Sequence, residues 1–424
     1  MATLLDNSPQ SIHVDVGFLD QQERTKLLRY PTANRIVEIV KNGITVKTAQ
    51  FLTYYMFHRQ RPGKEGFRNY TQLGGRIHHA AADLEDWVVA HDDSIASASD
   101  IESQDRAITE RIGEATALSV AGQIHDIHDA DWDRLPEYRG RGAFSTFDFE
   151  RQVLSASDGN LIVQVEAKGT APRDEDHLSV NLNKHASDIA KKKGKIAQRE
   201  ASGKYPHPAD IRYGVVTALT ANAPLQCWLT DPPGDEGSDP RRFRLLARLA
   251  FIFDWISFLS GRSQFAASLA TRLHALLAIK DPFVLAEVPL FRGNGEPFSS
   301  APTRFGGTPS MFAHLCRVTD GPAVGTLVKA SNERLFFLGV QRHLFEKAAT
   351  QSFDEILTYR DLGGSMHKTL DCIIPRGRAR TMGIEYLHRG SSESTAYVTF
   401  SAAGILHYSH GGSVFGIVTP ERAE

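Results

Sequence analysis

Three residues carry the strongest chemical signal in this chain: Asp148 in the run "TFDFERQVL", and Glu166 and Lys168 in "LIVQVEAKG". Both runs alternate apolar and polar positions, the pattern of two half-buried strands, and the turn-forming "SASDG" between them signals a hairpin. Alternation puts Phe147, Phe149 and Val153 on one face of the first strand and Asp148, Glu150 and Gln152 on the other. In the second strand Leu161, Val163, Val165 and Ala167 share a face, opposite Gln164, Glu166 and Lys168. Like faces like only where paired residue numbers sum to an even value. A sum of 314 pairs Leu154 with Asn160 and sets Asp148 opposite Glu166, with about 5 Å between Cβ atoms. A tight two-residue turn at Asp158-Gly159 would give an odd sum, so the loop is predicted to hold three or five residues, or a bulge.

Facing carboxylates repel, and something positive must hold them together. A hard divalent cation does so: Mg²⁺, with Mn²⁺ able to substitute, takes oxygen ligands, commonly one or two carboxylates completed by water and substrate phosphate. Lys168 would stand beside that ion on the same face, where it can orient or help deprotonate a water and stabilise charge building on phosphorus. The expected chemistry is phosphodiester hydrolysis. The bland alternative is an exposed Glu166 and Lys168 pair worth ~0.2–1 kcal/mol, with no chemistry.

The elements that must position these residues are legible around them. In "ESQDRAITERIGEATALSVAGQI" the small and apolar residues Ile108, Ile112, Ala115, Leu118 and Gly122 recur at steps of three and four, which predicts an amphipathic helix. After the hairpin come a basic helix, "NKHASDIAKKKGKIAQRE", and a β-branched strand, "IRYGVVTALT". The order helix, strand, strand, helix, strand describes a compact α/β unit ending near residue 228.

Asp148, the Glu166-Ala167-Lys168 triplet followed by Gly169, and the upstream "ERIGEA" together resemble the PD-(D/E)XK nuclease superfamily over residues 105–222. The resemblance implies a restriction-endonuclease-like core, a mixed sheet flanked by helices. It also implies roles: Asp148 and Glu166 bind the metal with help from the Ala167 carbonyl, Lys168 positions the water, and a helix glutamate completes the shell. Glu110 and Glu114 lie one turn apart, and Glu114, inside "IGEA", is the better match. Phe147 departs from the pattern, standing where the superfamily carries a proline. The implied activity is that of a Mg²⁺-dependent endonuclease acting on DNA in preference to RNA, in restriction or another anti-phage defence. Cutting two strands needs two sites, so a homodimer or higher oligomer is expected. An alternative from another class is a catalytically silent nucleic-acid-binding or scaffold protein with the same fold.

Lys184, His185, Lys191, Lys192, Lys193 and Lys195 on the basic helix are candidates for tracking a phosphate backbone. A solvated helix face is the competing explanation. "RGRG" at 139–142 and "PRGRAR" at 375–380 are further basic loops. "HDIHDAD" at 125–131 suggests a His/Asp metal phosphohydrolase with His125 and His128 on one helical face, but no supporting histidine and aspartate set accompanies it. "HYSHGGS" at 407–413 has no GxSxG nucleophile elbow to serve, and "RPGKEG" lacks P-loop spacing.

With 424 residues the chain is expected to hold two or three domains, at about 150 residues each. We divide it into an accessory region at 1–98, the nuclease-like core at 99–229, a Pro- and Gly-rich linker at 230–242, and an α+β domain at 243–424, helical and then β-rich with short strands such as "AYVTF", "GILHY" and "SVFGIV". A net charge of −2 gives no global attraction to nucleic acid, so contacts must rest on local patches. Cys227, Cys316 and Cys372 are scattered without a CxxC, which fits a reducing cytoplasm, and no signal peptide is read at the N-terminus. The apolar "LLARLAFIFDWISFLSG" is broken by Arg248 and Asp254, which predicts a buried or interface helix and no membrane span.

Overall fold

The computed structural model describes residues 9–28, 32–57, 70–98, 106–136, 144–155, 159–172, 174–221, 223–230, 240–261, 263–279, 281–298, 316–319, 321, 323–330, 334–384 and 397–421. The chain begins with β1 (Ser11–Phe18), α1 (Gln21–Leu27), α2 (Ala33–Asn42), β2 (Ile44–Lys47), α3 (Thr48–Phe57), α4 (Tyr70–Trp87), β3 (Val88–His91) and β4 (Ser94–Ser97). Next come α5 (Arg106–His125), β5 (Asp133–Arg134), β6 (Phe149–Ser155), β7 (Gly159–Thr170), α6 (Glu175–Ala201), β8 (Ile211–Ala218) and β9 (Gln226–Thr230). Helices α7 (Pro240–Ser260) and α8 (Gln264–Ala278) lead to β10 (Cys316–Val318), β11 (Ala323–Lys329), β12 (Leu335–Gln341), α9 (His343–Thr350) and α10 (Phe353–Thr358). The last elements are β13 (Gly364–Pro375), α11 (Arg376–Met382), β14 (Tyr397–Tyr408) and β15 (Ser413–Pro420).

The architecture is mixed α/β. A seven-stranded sheet runs in the order β2-β1-β9-β8-β7-β6-β5, with β1 parallel to β9 and β7 parallel to β8. The boundary expected at residue 98 is crossed by this sheet, because β1 and β2 supply its far strands. Ile12, Val14 and Val16 alternate inward along β1, so the first region shares the sheet's core and does not stand apart as an accessory. Of the expected linker, Pro240 to Arg242 already belong to α7, and residues 231–239 lie outside the described residues.

The hairpin adopts the expected register. Pairs run from Phe149 with Val165 to Ser155 with Gly159, every pair summing to 314, so three residues separate the last partners. Asp148 sits at a bend just before β6. That bend overturns one expectation: Phe147 leaves the face of Phe149 and packs with Leu182, Ile189 and Ile196 of α6, while Phe149 joins Val163 and Val165 in the larger core that includes α5.

Helix α6 starts at Asp174, whose carboxylate caps the N–H of His177 at 2.8 Å. Its stripe Leu182, Ile189, Lys193, Ile196 is buried toward the sheet. The polar face of the hairpin is therefore covered as well, which costs free energy unless every polar group finds a partner. Arg212 of β8, fully buried, supplies them: its Nε donates to Gln164 at 2.7 Å and its Nη1 to Glu200 of α6 at 2.9 Å, while Gln164 donates to Glu150 at 2.5 Å. This network clamps α6 onto the strands. On the other face α5 approaches β7 unusually closely. A Cβ on Gly169 would lie 1.7 Å from the Thr109 carbonyl oxygen, so only glycine permits this contact.

Beyond α7 and α8 a six-stranded antiparallel barrel closes in the order β10-β11-β12-β15-β14-β13. Its interior is filled by side chains including Phe337, Leu370, Cys372 and Phe400. The separate short strands expected at "AYVTF" and "GILHY" are one twelve-residue strand, β14. Gly404 does not break it; a Cβ there would meet the Ile417 carbonyl oxygen of β15 at 2.1 Å, so the glycine allows close strand approach. The barrel's outer face joins the main core, with Phe57 of α3 edge-on to Phe415 at 5.0 Å between ring centroids. Among the described residues no helix is long and apolar enough to cross a membrane.

Candidate active site

Helix α5, the end of β7 and the first half of α6 enclose a cavity of about 720 Å³. The α5 and β7 contact at Gly169 brings Glu110 and Glu114 to its wall, opposite Asn181, Lys184, His185, Asp188 and Lys192 of α6. Those five positions of α6 recur at helical spacing and form a second stripe beside the sheet-facing one. Asn181 ties the two walls together, donating to Thr170 Oγ1 at 2.9 Å.

Asp148, Ala167 and Lys168 also line this cavity, and Glu166 lies behind the lining, buried against Lys168. Asp148 is pinned by the backbone of the neighbouring strand, its Oδ2 accepting the Ala167 N–H at 3.1 Å. Glu166 is 1 % exposed and receives two ammonium groups: Lys168 Nζ at 2.6 Å from Oε1, and Lys192 Nζ at 2.7 Å from Oε1 and 2.5 Å from Oε2. Lys192 Nζ also lies 3.8 Å from Asp148 Oδ1, so one ammonium spans both acids. Glu114 is buried in the wall of the same cavity.

Electrostatics set this cluster apart from an exposed ion pair. Burial, with the negative charge of Asp148 beside it, lifts the Glu166 carboxyl to about 7 against the pull of the two lysines. Burial works against the Lys168 ammonium, but Glu166 and Asp148 outweigh it and hold its pKa above the ordinary value. Burial and the neighbouring Lys168 lower His185, favouring the neutral imidazole. An acid and two ammonium groups lining a cavity, with a second acid buried directly behind them, are groups able to attract a cation, orient water and carry phosphate charge. Among the described residues no group of three or more His, Cys, Asp or Glu side chains is gathered tightly enough to hold a metal ion.

Of the residues expected on sequence grounds, Asp148, Glu114, Glu166, Ala167 and Lys168 come together with Lys184, His185 and Lys192. Lys191 and Lys195 are exposed on α6 outside the cavity wall. Lys193 is a correction: it turns inward and donates to the Arg212 carbonyl at 3.2 Å, because it falls on the buried stripe four residues after Ile189. Lys192, expected to grip phosphate, instead sits on the two acids. Asn181, Asp188 and Arg134 were not singled out by sequence, although helical spacing from Lys184 and Lys192 would have found the first two.

The described side chains of "HDIHDAD" turn to separate partners. His125 Nε2 lies 3.1 Å from the Tyr213 hydroxyl, and Asp126 turns outward to Arg360 at 2.5 Å. Asp131 is held by Arg244 at 2.8 and 3.0 Å and by Arg248, and Arg248 and its neighbours keep its carboxyl well below the usual range against the cost of burial. Asp129 accepts from Ser409 Oγ at 2.8 Å and from the Gly411 N–H at 2.6 Å. The second discarded motif, "HYSHGGS", is thus the partner of the first, and together they join the sheet unit to the barrel. Within "LLARLAFIFDWISFLSG", Arg248 and Asp254 are buried, as expected of an interface helix.

Comparison of the chain with protein-family models, with curated proteins and with solved structures returned no match.

Proposed function

We propose that the cavity is the active site of a metal-dependent nuclease that hydrolyses nucleic-acid phosphodiesters, with DNA the expected substrate, and that the unit around it is a restriction-endonuclease-like core. One observation carries the proposal: Asp148 and Glu166, from neighbouring chain segments, converge on a single ammonium at 3.8 and 2.5 Å, with Lys168 2.6 Å from Glu166 at a cavity wall. The order helix, strand, strand, helix, strand that carried the resemblance recurs as α5, β6, β7, α6 and β8, with the short β5 added.

The donor set fits a hard cation, since Mg²⁺ asks for one or two carboxylates plus water and phosphate oxygen. Asp148 and Glu166 would hold it, with Glu114 and the Ala167 carbonyl as further donors. Bound there, the ion polarises a phosphoryl oxygen and lowers the pKa of water. Lys168 orients the attacking water and neutralises charge on phosphorus in the transition state. Lys184 and His185, across the cavity, hold the backbone phosphates in line. The water oxygen bonds to phosphorus as the phosphorus–ester oxygen bond breaks, the attacking water gives up a proton to solvent, and the departing ester oxygen takes one up from solvent. A place in restriction or other anti-phage defence, and action as a dimer, belong to the same proposal.

Incubation of linear and circular DNA and RNA with Mg²⁺, Mn²⁺ or chelator, comparing wild type with Lys168→Ala, is the test. Metal-dependent cleavage is expected to fall by ~10²–10³-fold in Lys168→Ala while DNA binding persists. A wild-type protein that binds DNA and never cuts it would make this a scaffold.

A further inference from the structure

We propose that Lys192 is a tethered cation that occupies the acidic pair until nucleic acid draws it away, so that metal loading is gated by substrate. The inference rests on the nuclease proposal above and adds a regulatory step at the same site.

Lys192 Nζ lies within hydrogen-bond distance of both Glu166 oxygens and 3.8 Å from Asp148 Oδ1. A divalent ion held by Asp148 and Glu166 would draw on the same oxygens, so ammonium and metal would compete for them. The two lysines on Glu166 are not equivalent. Lys168 is carried two residues further along the same strand and touches one oxygen, so it could remain while the other oxygen served a cation. Lys192 comes from α6 on a four-carbon stem, 25 % exposed, and can leave without any backbone shift.

A destination for it is already present. Asp188 lies one turn earlier on α6, on the same cavity wall, in the favourable order of acid before lysine. One exposed carboxylate is a poor exchange for two acids at the buried end of the stem. A backbone phosphate entering beside Lys184 and His185 adds a second anion on the outer side and shifts the balance. The displaced ammonium then serves the substrate, and the vacated oxygens accept the metal. Linkage makes the coupling reciprocal: nucleic acid tightens metal binding, and metal tightens nucleic-acid binding by the same factor.

The experiment is a Mn²⁺ titration of the full chain, read by the paramagnetic resonance signal of free Mn²⁺, with and without a phosphorothioate DNA duplex that resists hydrolysis. Wild type is expected to bind Mn²⁺ about tenfold or more tightly with duplex than without it. Lys192→Gln should bind Mn²⁺ without duplex as tightly as wild type does with it, and gain little on its addition. Lys192→Arg, which keeps the charge, should retain weak binding and the duplex response. Equal Mn²⁺ affinity for Lys192→Gln and wild type without duplex would overturn the gate. Asp148→Asn and Glu166→Gln separate the two proposals: if they leave Mn²⁺ binding intact, the nuclease assignment itself fails; if they abolish it while Lys192→Gln behaves as wild type, only the gate fails.

Discussion

The half-buried Asp148 with buried Glu166, and the buried carboxylates Asp129 and Asp131, all lie beside cations or donors, yet their surroundings differ in kind. Asp131 meets guanidinium groups of Arg244 and Arg248, planar donors with fixed geometry, and Asp129 meets a serine hydroxyl and a backbone N–H. Arg248 extends further, its Nη1 donating to the Ile356 and Leu357 carbonyls at 2.6 Å each. Glu166 meets lysines, point charges on flexible stems that themselves line a cavity of about 720 Å³. Acid count therefore does not distinguish a junction from a site; the type of partner and the space beside it do.

The contrast can be broken at either end. Arg248→Ala should produce the largest loss, ~3–5 kcal/mol of unfolding free energy, because Asp131 loses a buried partner and the α10 carbonyls lose their donor. Denaturant midpoints check this, and a shift worth less than about 1 kcal/mol would erase the distinction. Gly169→Ala should cost ~1–3 kcal/mol, since α5 must lift from the Thr109 contact, and cleavage should fall along with stability. A pH series probes the junction differently. Burial holds His128, and likewise His125 at the end of α5, at about 3 against the ordinary 6.5, so between those values the unfolded chain takes up two protons that the folded one refuses. Stability present above pH 6.5 is lost as pH falls, with a slope of about 1.4 kcal/mol per unit per proton, and urea midpoints between pH 8 and 5 measure it. The smallest effect is expected for Glu166→Gln. Relieving a desolvated acid next to Asp148 should leave stability within about 1 kcal/mol of wild type or raise it, while metal-dependent cleavage disappears. A large destabilisation would mark Glu166 as a structural acid like Asp131.

Much of the site was legible because strand alternation and helical spacing are local properties. The 314 register followed from matching faces on two runs, and the pairing of Phe149 with Val165 obeys it. Lys193 was misassigned because composition groups it with Lys191, Lys192 and Lys195, whereas its interval from Ile189 and Ile196 puts it underneath the helix. The parallel contact of β1 with β9 joins segments some two hundred residues apart in sequence, and no local pattern announces such a pairing. Glycines in β14 and β15 read as punctuation because sequence cannot tell a turn from a place where two backbones touch. "HDIHDAD" looked like chemistry because its arginine partners lie on α7, more than a hundred residues downstream.

The docking of β1 against β9 has a consequence for anyone isolating the unit around the cavity. Phe18 pairs with Leu229 and Asp15 with Gln226, so a fragment started at residue 99 would leave the outer row of amides and carbonyls on β9 bare. Such a row recruits strands from other molecules, and the excised piece would self-associate where the intact chain has already satisfied that margin with its own first strand.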